Sequence, residues 1–166
     1  FTRTLSKNIQ PIVITGGGET ARNYIDAARS MGADEATLDE IGITASRLNA
    51  SLLLSCVGEL GYPHIPKDLQ EVAEATQSSK IVVLGGLHPG HSTNATAALV
   101  AEKLKAKLFV NATDVDGVYS ADPKVVKEAR RFEEIDVKQM SKLVEEREMK
   151  AGTYELMDLV ALKVIS

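Results

Sequence analysis

Apolar positions along this chain follow two different spacings. Three short unbroken runs, Pro11-Ile12-Val13-Ile14-Thr15, Ile81-Val82-Val83-Leu84 and Lys107-Leu108-Phe109-Val110-Asn111, are rich in β-branched residues. Continuous runs of this length suit strands buried on both faces, as in a parallel sheet. Elsewhere the spacing is helical. Ala21, Tyr24, Ile25, Ala28 and Met31 share one helix face, and Gly32 is placed to end that helix. Leu38, Ile41, Ala45, Leu48 and Leu52 predict a second, longer helix. A short helix is expected from Asp68 to Ala75. Another should be capped by Thr93, with Ala97, Leu99, Val100 and Leu104 as its apolar side. Asp136 to Arg147 reads as a mostly solvated helix, and Thr153 as the cap of a last one carrying Leu156, Leu159, Val160 and Val164. Glycines and prolines mark Gly58 to Pro66 as a loop, and Asp116-Gly117 with Asp122-Pro123 do the same for Asp114 to Lys124.

Strand, small-residue loop, helix is therefore the recurring unit, which predicts an α/β fold with a mainly parallel sheet. Ligands of such sheets sit beyond the carboxyl ends of the strands. All three runs here end in glycines or small polar residues: Gly16-Gly17-Gly18, Gly85-Gly86 and Ala112-Thr113-Asp114. That shared feature points to a nucleotide or another phosphate-bearing ligand.

Composition narrows the function classes. At 166 residues the chain suits a single domain, 1–166, with one sizeable core. Net charge is −4 and no long basic stretch is present, which argues against a nucleic-acid surface. A helix start or glycine loop binds small anions without net positive charge. No signal peptide is visible, and membrane partners are not expected. The single cysteine, Cys56, cannot close an intrachain disulfide, in keeping with a reducing cytoplasm. The start at Phe1 and the apolar pattern running to Ser166 read as a domain incomplete at both ends.

Two glycine motifs carry more than one reading. Gly16-Gly17-Gly18-Glu19-Thr20-Ala21 follows a strand and opens a helix, so its backbone can approach a phosphate closely. It also satisfies the dinucleotide pattern G-x-G-x-x-A, with Asp39 about 20 residues on; but that acid should end a strand, and Asp39 lies in a helical pattern. A tight turn without ligand remains open. Gly85-Gly86-Leu87-His88-Pro89-Gly90-His91-Ser92-Thr93 nearly matches a P-loop, with His91 where the phosphate-reaching lysine belongs. His88 and His91 have no nearby cysteine or acid, so no protein-built metal site is expected. The segment Asn111 to Pro123 is a polar loop at a strand end. Its carboxylates suit Mg²⁺ or nucleotide hydroxyls, and Tyr119 offers an aromatic platform; a well-bonded turn is the competing view.

Thr113-Asp114-Val115-Asp116-Gly117-Val118-Tyr119 with Asp122-Pro123 resembles the nucleotide-binding signature of the amino-acid-kinase family. Gly16-Gly17-Gly18 with Arg22-Asn23-Tyr24-Ile25 and Ala28-Arg29, Pro89 to Thr93 leading to Ala97-Ala98, and Lys150-Ala151-Gly152-Thr153-Tyr154 with Asp158 are similar to the archaeal-type uridylate kinases within it. The similarity runs over essentially the whole chain. It implies a three-layer α/β/α sandwich, a reaction in which ATP phosphorylates UMP, Mg²⁺ as the companion of ATP, and a homohexamer.

Residue by residue, the resemblance implies that Gly17, Asp39 and the segment Leu87, His88, Pro89, Gly90, His91, Ser92 and Thr93 bind UMP. Gly18 and Arg22 would face the transferred phosphate and ATP. Thr113, Asp114, Tyr119 and Asp122 would hold the ATP adenosine, and Arg22 and Asp158 would serve at the reaction centre. The family's usual opening, a strand with a lysine-bearing glycine loop, is not in this sequence, and Asn94 stands where many relatives carry Asp. A sister kinase for isopentenyl phosphate or acetylglutamate, a non-catalytic nucleotide binder on the same fold, and a dinucleotide oxidoreductase are the alternatives.

Overall fold

The computed structural model describes residues 9–113, 116–121, 123, 125–148 and 157–166. Two of the apolar runs become strands, β1 (Ile12–Ile14) and β2 (Val82–Leu84), paired in parallel with Ile12 opposite Val82 and Ile14 opposite Leu84. Between β1 and β2 lie three α-helices, α1 (Gly18–Ser30), α2 (Glu35–Val57) and α3 (Leu69–Thr76), and a single 3-10 turn, Gly58–Leu60, at the start of the expected loop. After β2 come α4 (Thr93–Lys103), α5 (Val137–Glu148) and α6 (Leu159–Ile165).

Helix ends follow local side-chain chemistry. Asp34 caps α2 by accepting from Thr37 N at 2.9 Å, and that bond holds its carboxyl below the ordinary value. Asp68 caps α3, accepting from Gln70 N and Glu71 N, each at 2.8 Å. The cap of α4 is Ser92, not the expected Thr93: Ser92 Oγ accepts from Ala95 N at 2.9 Å, and Thr93 is the first helical residue. Both hydroxyls suit the role, and the extended backbone at Ser92 decides between them. The expected cap Thr153 lies outside the described residues. The last helix instead starts from Asp158, which accepts from Ala161 N at 2.8 Å.

Alternation along the strands separates two faces of the sheet. Ile12, Ile14, Val82 and Leu84 pack with Val72 and Ala75 of α3 and Val100 of α4. Val13, Ile81 and Val83 pack on the other side with Ala50, Leu53 and Val57 of α2. Helices therefore cover both faces, the expected three layers. A separate apolar cluster joins Ala98 of α4, Met140 and Val144 of α5, and Met157, Ala161 and Leu162. Met140 and Val144 lie one turn apart, so α5 buries a stripe and is less solvated than its composition suggests. The segment Glu35–Leu60 is long and apolar enough to cross a membrane by composition alone, with mean hydropathy 1.3. Here it packs between α1 and the sheet.

The third apolar run, Lys107 to Asn111, forms no strand among the described residues. Leu108 and Val110 are 77% and 73% exposed. A strand exists only when a neighbour takes up its backbone hydrogen bonds. This run instead faces β1 across a groove of about 600 Å³ lined by Ile12, Ile14, Leu108 and Val110.

Candidate active site

Both strands run straight into glycines, and α2 passes directly beneath them. A methyl group on Gly85 would lie 2.6 Å from Arg47 N and 2.7 Å from the Ser46 carbonyl carbon, so only glycine lets the helix backbone come this close. On Gly17 it would lie 2.3 Å from Ala21 Cβ. Gly18 opens α1 with φ +61°, a left-handed conformation that favours glycine.

Polar side chains of α2 fasten the two loops. Ser46 Oγ accepts from Gly86 N at 2.8 Å and donates to Ile43 O at 2.7 Å. Arg47 donates to the carbonyls of Gly86, at 3.1 Å from Nε, and Leu87, at 3.3 Å from Nη2. Asn49 Nδ2 donates to Gly16 O at 2.8 Å and Gly17 O at 3.2 Å. Thr15 Oγ1 closes the set, donating to Ser46 O at 2.8 Å.

Between the loops lies a cavity of about 180 Å³, walled by Gly17 and Ala21, by Asp39, Gly42 and Ser46 of α2, and by Gly86, His88, His91, Ser92 and Thr93. Asp39 sits at its edge, and its Oδ2 accepts from Gly90 N at 2.7 Å. Residues expected to share one ligand, Gly17, Asp39, His88, Gly90, His91, Ser92 and Thr93, are thus brought together from distant parts of the chain. Leu87 is buried in the core and its carbonyl is held by Arg47, so its side chain does not line the cavity. Pro89 is exposed on the loop beside them.

Ser92 is already committed. Besides capping α4, its hydroxyl donates to Asp158 Oδ2 in a short contact, while Asp158 Oδ1 caps α6. Asp158 thus reaches the cavity through Ser92. Arg22 is exposed on α1, one turn beyond Gly18. Thr93 lines both the cavity and the groove that runs past Gly16 to Asn111 and Ala112, so the two spaces adjoin.

The expected ATP-side residues Asp114 and Asp122 lie outside the described residues. Thr113 is exposed at the end of the third run. Tyr119 lies in a short antiparallel contact with Arg131, and Phe132 N donates to Val118 O at 2.8 Å. Tyr119 Oη donates to Asp116 Oδ1 at 2.7 Å, and Arg131 Nη1 donates to Asp116 Oδ2 at 3.3 Å. The tyrosine hydrogen bond, helped by the guanidinium, holds the Asp116 carboxyl below the ordinary 3.8. The same bond pushes the Tyr119 hydroxyl above 10.0. Among the described residues no three His, Cys, Asp or Glu side chains gather as a metal cage.

Sequence reasoning missed Gly42, Ser46, Arg47 and Asn49. A signal was present: Asp39, Gly42, Ser46 and Asn49 recur at alternating three- and four-residue steps and make a small and polar stripe on an otherwise apolar helix.

Known proteins resemble this chain in sequence and in fold. A family model described as "Amino acid kinase family" matches residues 2–166. A uridylate kinase of Methanosarcina acetivorans is 50% identical over 163 residues, 98% of this chain and 70% of that protein. One from Archaeoglobus fulgidus is 45% identical, over 99% of this chain and 76% of its own length. The crystal structure of the Archaeoglobus fulgidus uridylate kinase superposes with a TM-score of 0.88 at 43% identity, covering 99% of this chain and 74% of that one. A UMP kinase from Bacillus anthracis shares the fold at TM-score 0.71 and 22% identity.

Proposed function

Because this chain belongs to the amino acid kinase family, we propose that it is the phosphotransferase that moves the γ-phosphate of ATP onto UMP, giving ADP and UDP for pyrimidine nucleotide synthesis. One observation carries the acceptor assignment. Asp39, fixed by the Gly90 N–H, stands at the edge of a cavity floored by one glycine loop and roofed by the other. One carboxylate oxygen is taken by the loop, which leaves Oδ1 to accept from ribose hydroxyls. The loop from Leu87 to Thr93 wraps the nucleotide, and the start of α4 at Thr93 favours its phosphate.

The reaction needs alignment and charge neutralisation more than covalent help. An oxygen of the UMP phosphate attacks the γ-phosphorus of ATP, the bond to the β,γ-bridging oxygen breaks, and ADP leaves with that electron pair. Gly17 serves the acceptor side and Gly18 the donor side. Arg22, one turn along α1, offers a planar fork to the moving phosphate oxygens. Tyr119, Thr113, Asp114 and Asp122 form the adenosine end. Mg²⁺ would neutralise the charge of the ATP phosphates, held by those phosphates and water with one or two carboxylates. Asp158 we assign as a positioning residue, since Ser92 and the α6 start engage its oxygens.

The finer assembly reading is a cytoplasmic homohexamer. The number of copies and the location rest on the family resemblance; the exposed apolar set Tyr24, Met31, Leu48 and Leu52 on and beside α1 and α2 supports a contact between copies.

A coupled assay on the full-length protein with ATP and Mg²⁺ tests the acceptor by offering UMP, CMP, isopentenyl phosphate and acetylglutamate in parallel. Turnover is expected with UMP foremost. Equal or better turnover with a non-nucleotide acceptor would overturn the reading, as would tight UMP binding without UDP formation.

A further inference from the structure

Gly16 and Gly17 are glycines side by side at the end of β1, and nothing in their own sequence fixes which way their peptides point. Glycine peptides reorient at low steric cost, and a phosphate loop works only when its N–H groups face the ligand. The peptide joining Gly17 to Gly18 is held from two sides, because Gly17 O accepts from Ala21 N at 3.1 Å as α1 begins, and also from Asn49 at 3.2 Å. The peptide joining Gly16 to Gly17 has no such helical bond. Its carbonyl is held by Asn49 Nδ2 at 2.8 Å, across 33 residues.

A trans peptide carries its C=O and N–H on opposite sides. Anchoring the Gly16 carbonyl against α2 therefore turns the Gly17 N–H away from α2 and out of the loop. Gly17 lines the acceptor cavity, together with Asp39, Ser46 and Thr93. As the residue just before α1, it also has an N–H that a helix leaves without an internal partner.

We propose that Asn49 is a positioning residue: its side-chain amide sets the orientation of the Gly16–Gly17 peptide so that the Gly17 N–H donates to the acceptor phosphate during transfer. This deepens the acceptor reading and rests on it. Asn49 acts through the loop backbone, chiefly through the Gly16–Gly17 peptide, because the Gly17–Gly18 peptide is also held by Ala21 N. Asp39 holds the nucleoside end and Asn49 governs the phosphate end.

The test uses Asn49→Asp and Asn49→Ala in the full chain with glycine-selective ¹⁵N labelling. Asn49→Asp keeps the side-chain shape but replaces the donor with an anion facing two carbonyl oxygens, so it stays informative if the alanine variant fails to fold. Wild type is expected to show both the Gly17 and Gly90 amide resonances shifting on addition of UMP. In the Asp variant the Gly90 shift should persist while the Gly17 shift is lost. Its kcat/KM for UMP should fall at least about tenfold, with KM for ATP little changed. A Gly17 shift that survives in the variant, or a loss confined to thermal stability, would overturn the proposal. Absence of both shifts in the wild type would instead overturn the acceptor reading itself.

Discussion

The hydroxyl of Ser92 donates to Asp158 while each of the two side chains caps a different helix, Ser92 the start of α4 and Asp158 the start of α6. The residue pair is 66 positions apart in sequence and locks the acceptor loop to the C-terminal helix. Replacing Asp158 by Ala removes one cap and the other cap's partner, so stability should fall by about 1–2 kcal/mol. Asn caps helices as well as Asp and still accepts from a hydroxyl. Asp158→Asn should therefore keep most of the stability and turnover, whereas a carboxylate acting in the chemistry would lose turnover in both variants. Denaturant unfolding and steady-state kinetics on the two variants check this.

Asp39 separates acceptor binding from donor binding. Asp39→Ala removes the contact to Gly90 and the oxygen assigned to the ribose. KM for UMP is expected to rise by about tenfold or more, with KM for ATP changed little, given that hydrogen bonds to charged groups contribute about 1.5–3 kcal/mol each. Initial rates with each substrate varied in turn distinguish this from a general loss of fold.

Gly85, just past β2, lies tight against the backbone of α2. Gly85→Ala places a methyl within 2.6 Å of Arg47 N and 2.7 Å of the Ser46 carbonyl carbon, backbone atoms that cannot rotate away. Overpacking of this kind costs about 1–3 kcal/mol, and the expected result is a lower unfolding midpoint with a displaced acceptor loop. Gly90→Ala, by contrast, meets no neighbouring atom within 4 Å but has φ +78°, so its cost is backbone strain alone.

The Asp116–Tyr119 bond gives a pH dependence whose sign is fixed by the two shifts. The Asp116 carboxyl is lowered in the fold, so its contribution is present above the ordinary 3.8 and is lost as pH falls through the depressed value. Tyr119 is raised, so its contribution is present below 10.0 and is lost as pH rises through the elevated value. Tyr119→Phe removes the alkaline effect and the largest part of the acid one, leaving the part that Arg131 supplies. The Asp116 carboxyl should move back up toward its ordinary value, which a carboxyl-carbon NMR titration reads directly, and the alkaline loss assigned to Tyr119 should vanish.

Much of the fold was legible because its causes are local. Helices α1 to α4 stand where the sequence predicts them, although Tyr24, Met31, Leu48 and Leu52 of the predicted apolar faces are exposed and α2 instead buries Ala45, Ser46, Ala50 and Val57. Gly32 with φ +86° ends α1 as a glycine should. Such features involve residues within one or two turns of each other. The choice of Ser92 over Thr93 was not legible, because two adjacent hydroxyls satisfy the same rule and the approach of Asp158 bears on only one of them. The third apolar run has the strand pattern but lacks a backbone partner among the described residues, and pattern alone does not supply one.

The sequence by itself determined that two β-branched runs end in glycine loops, that helices lie between them, and that the loops resemble those of kinases acting on small phosphorylated acceptors. Only the tertiary structure decided what the glycine loops are held by. Asp39, Ser46, Arg47 and Asn49 reach Gly90, Gly86, Leu87 and Gly16 over separations of 51, 40, 40 and 33 residues. A glycine's freedom is visible in sequence, but the direction of its N–H is not. That direction is set by donors and acceptors which a folded helix carries to the loop from elsewhere in the chain.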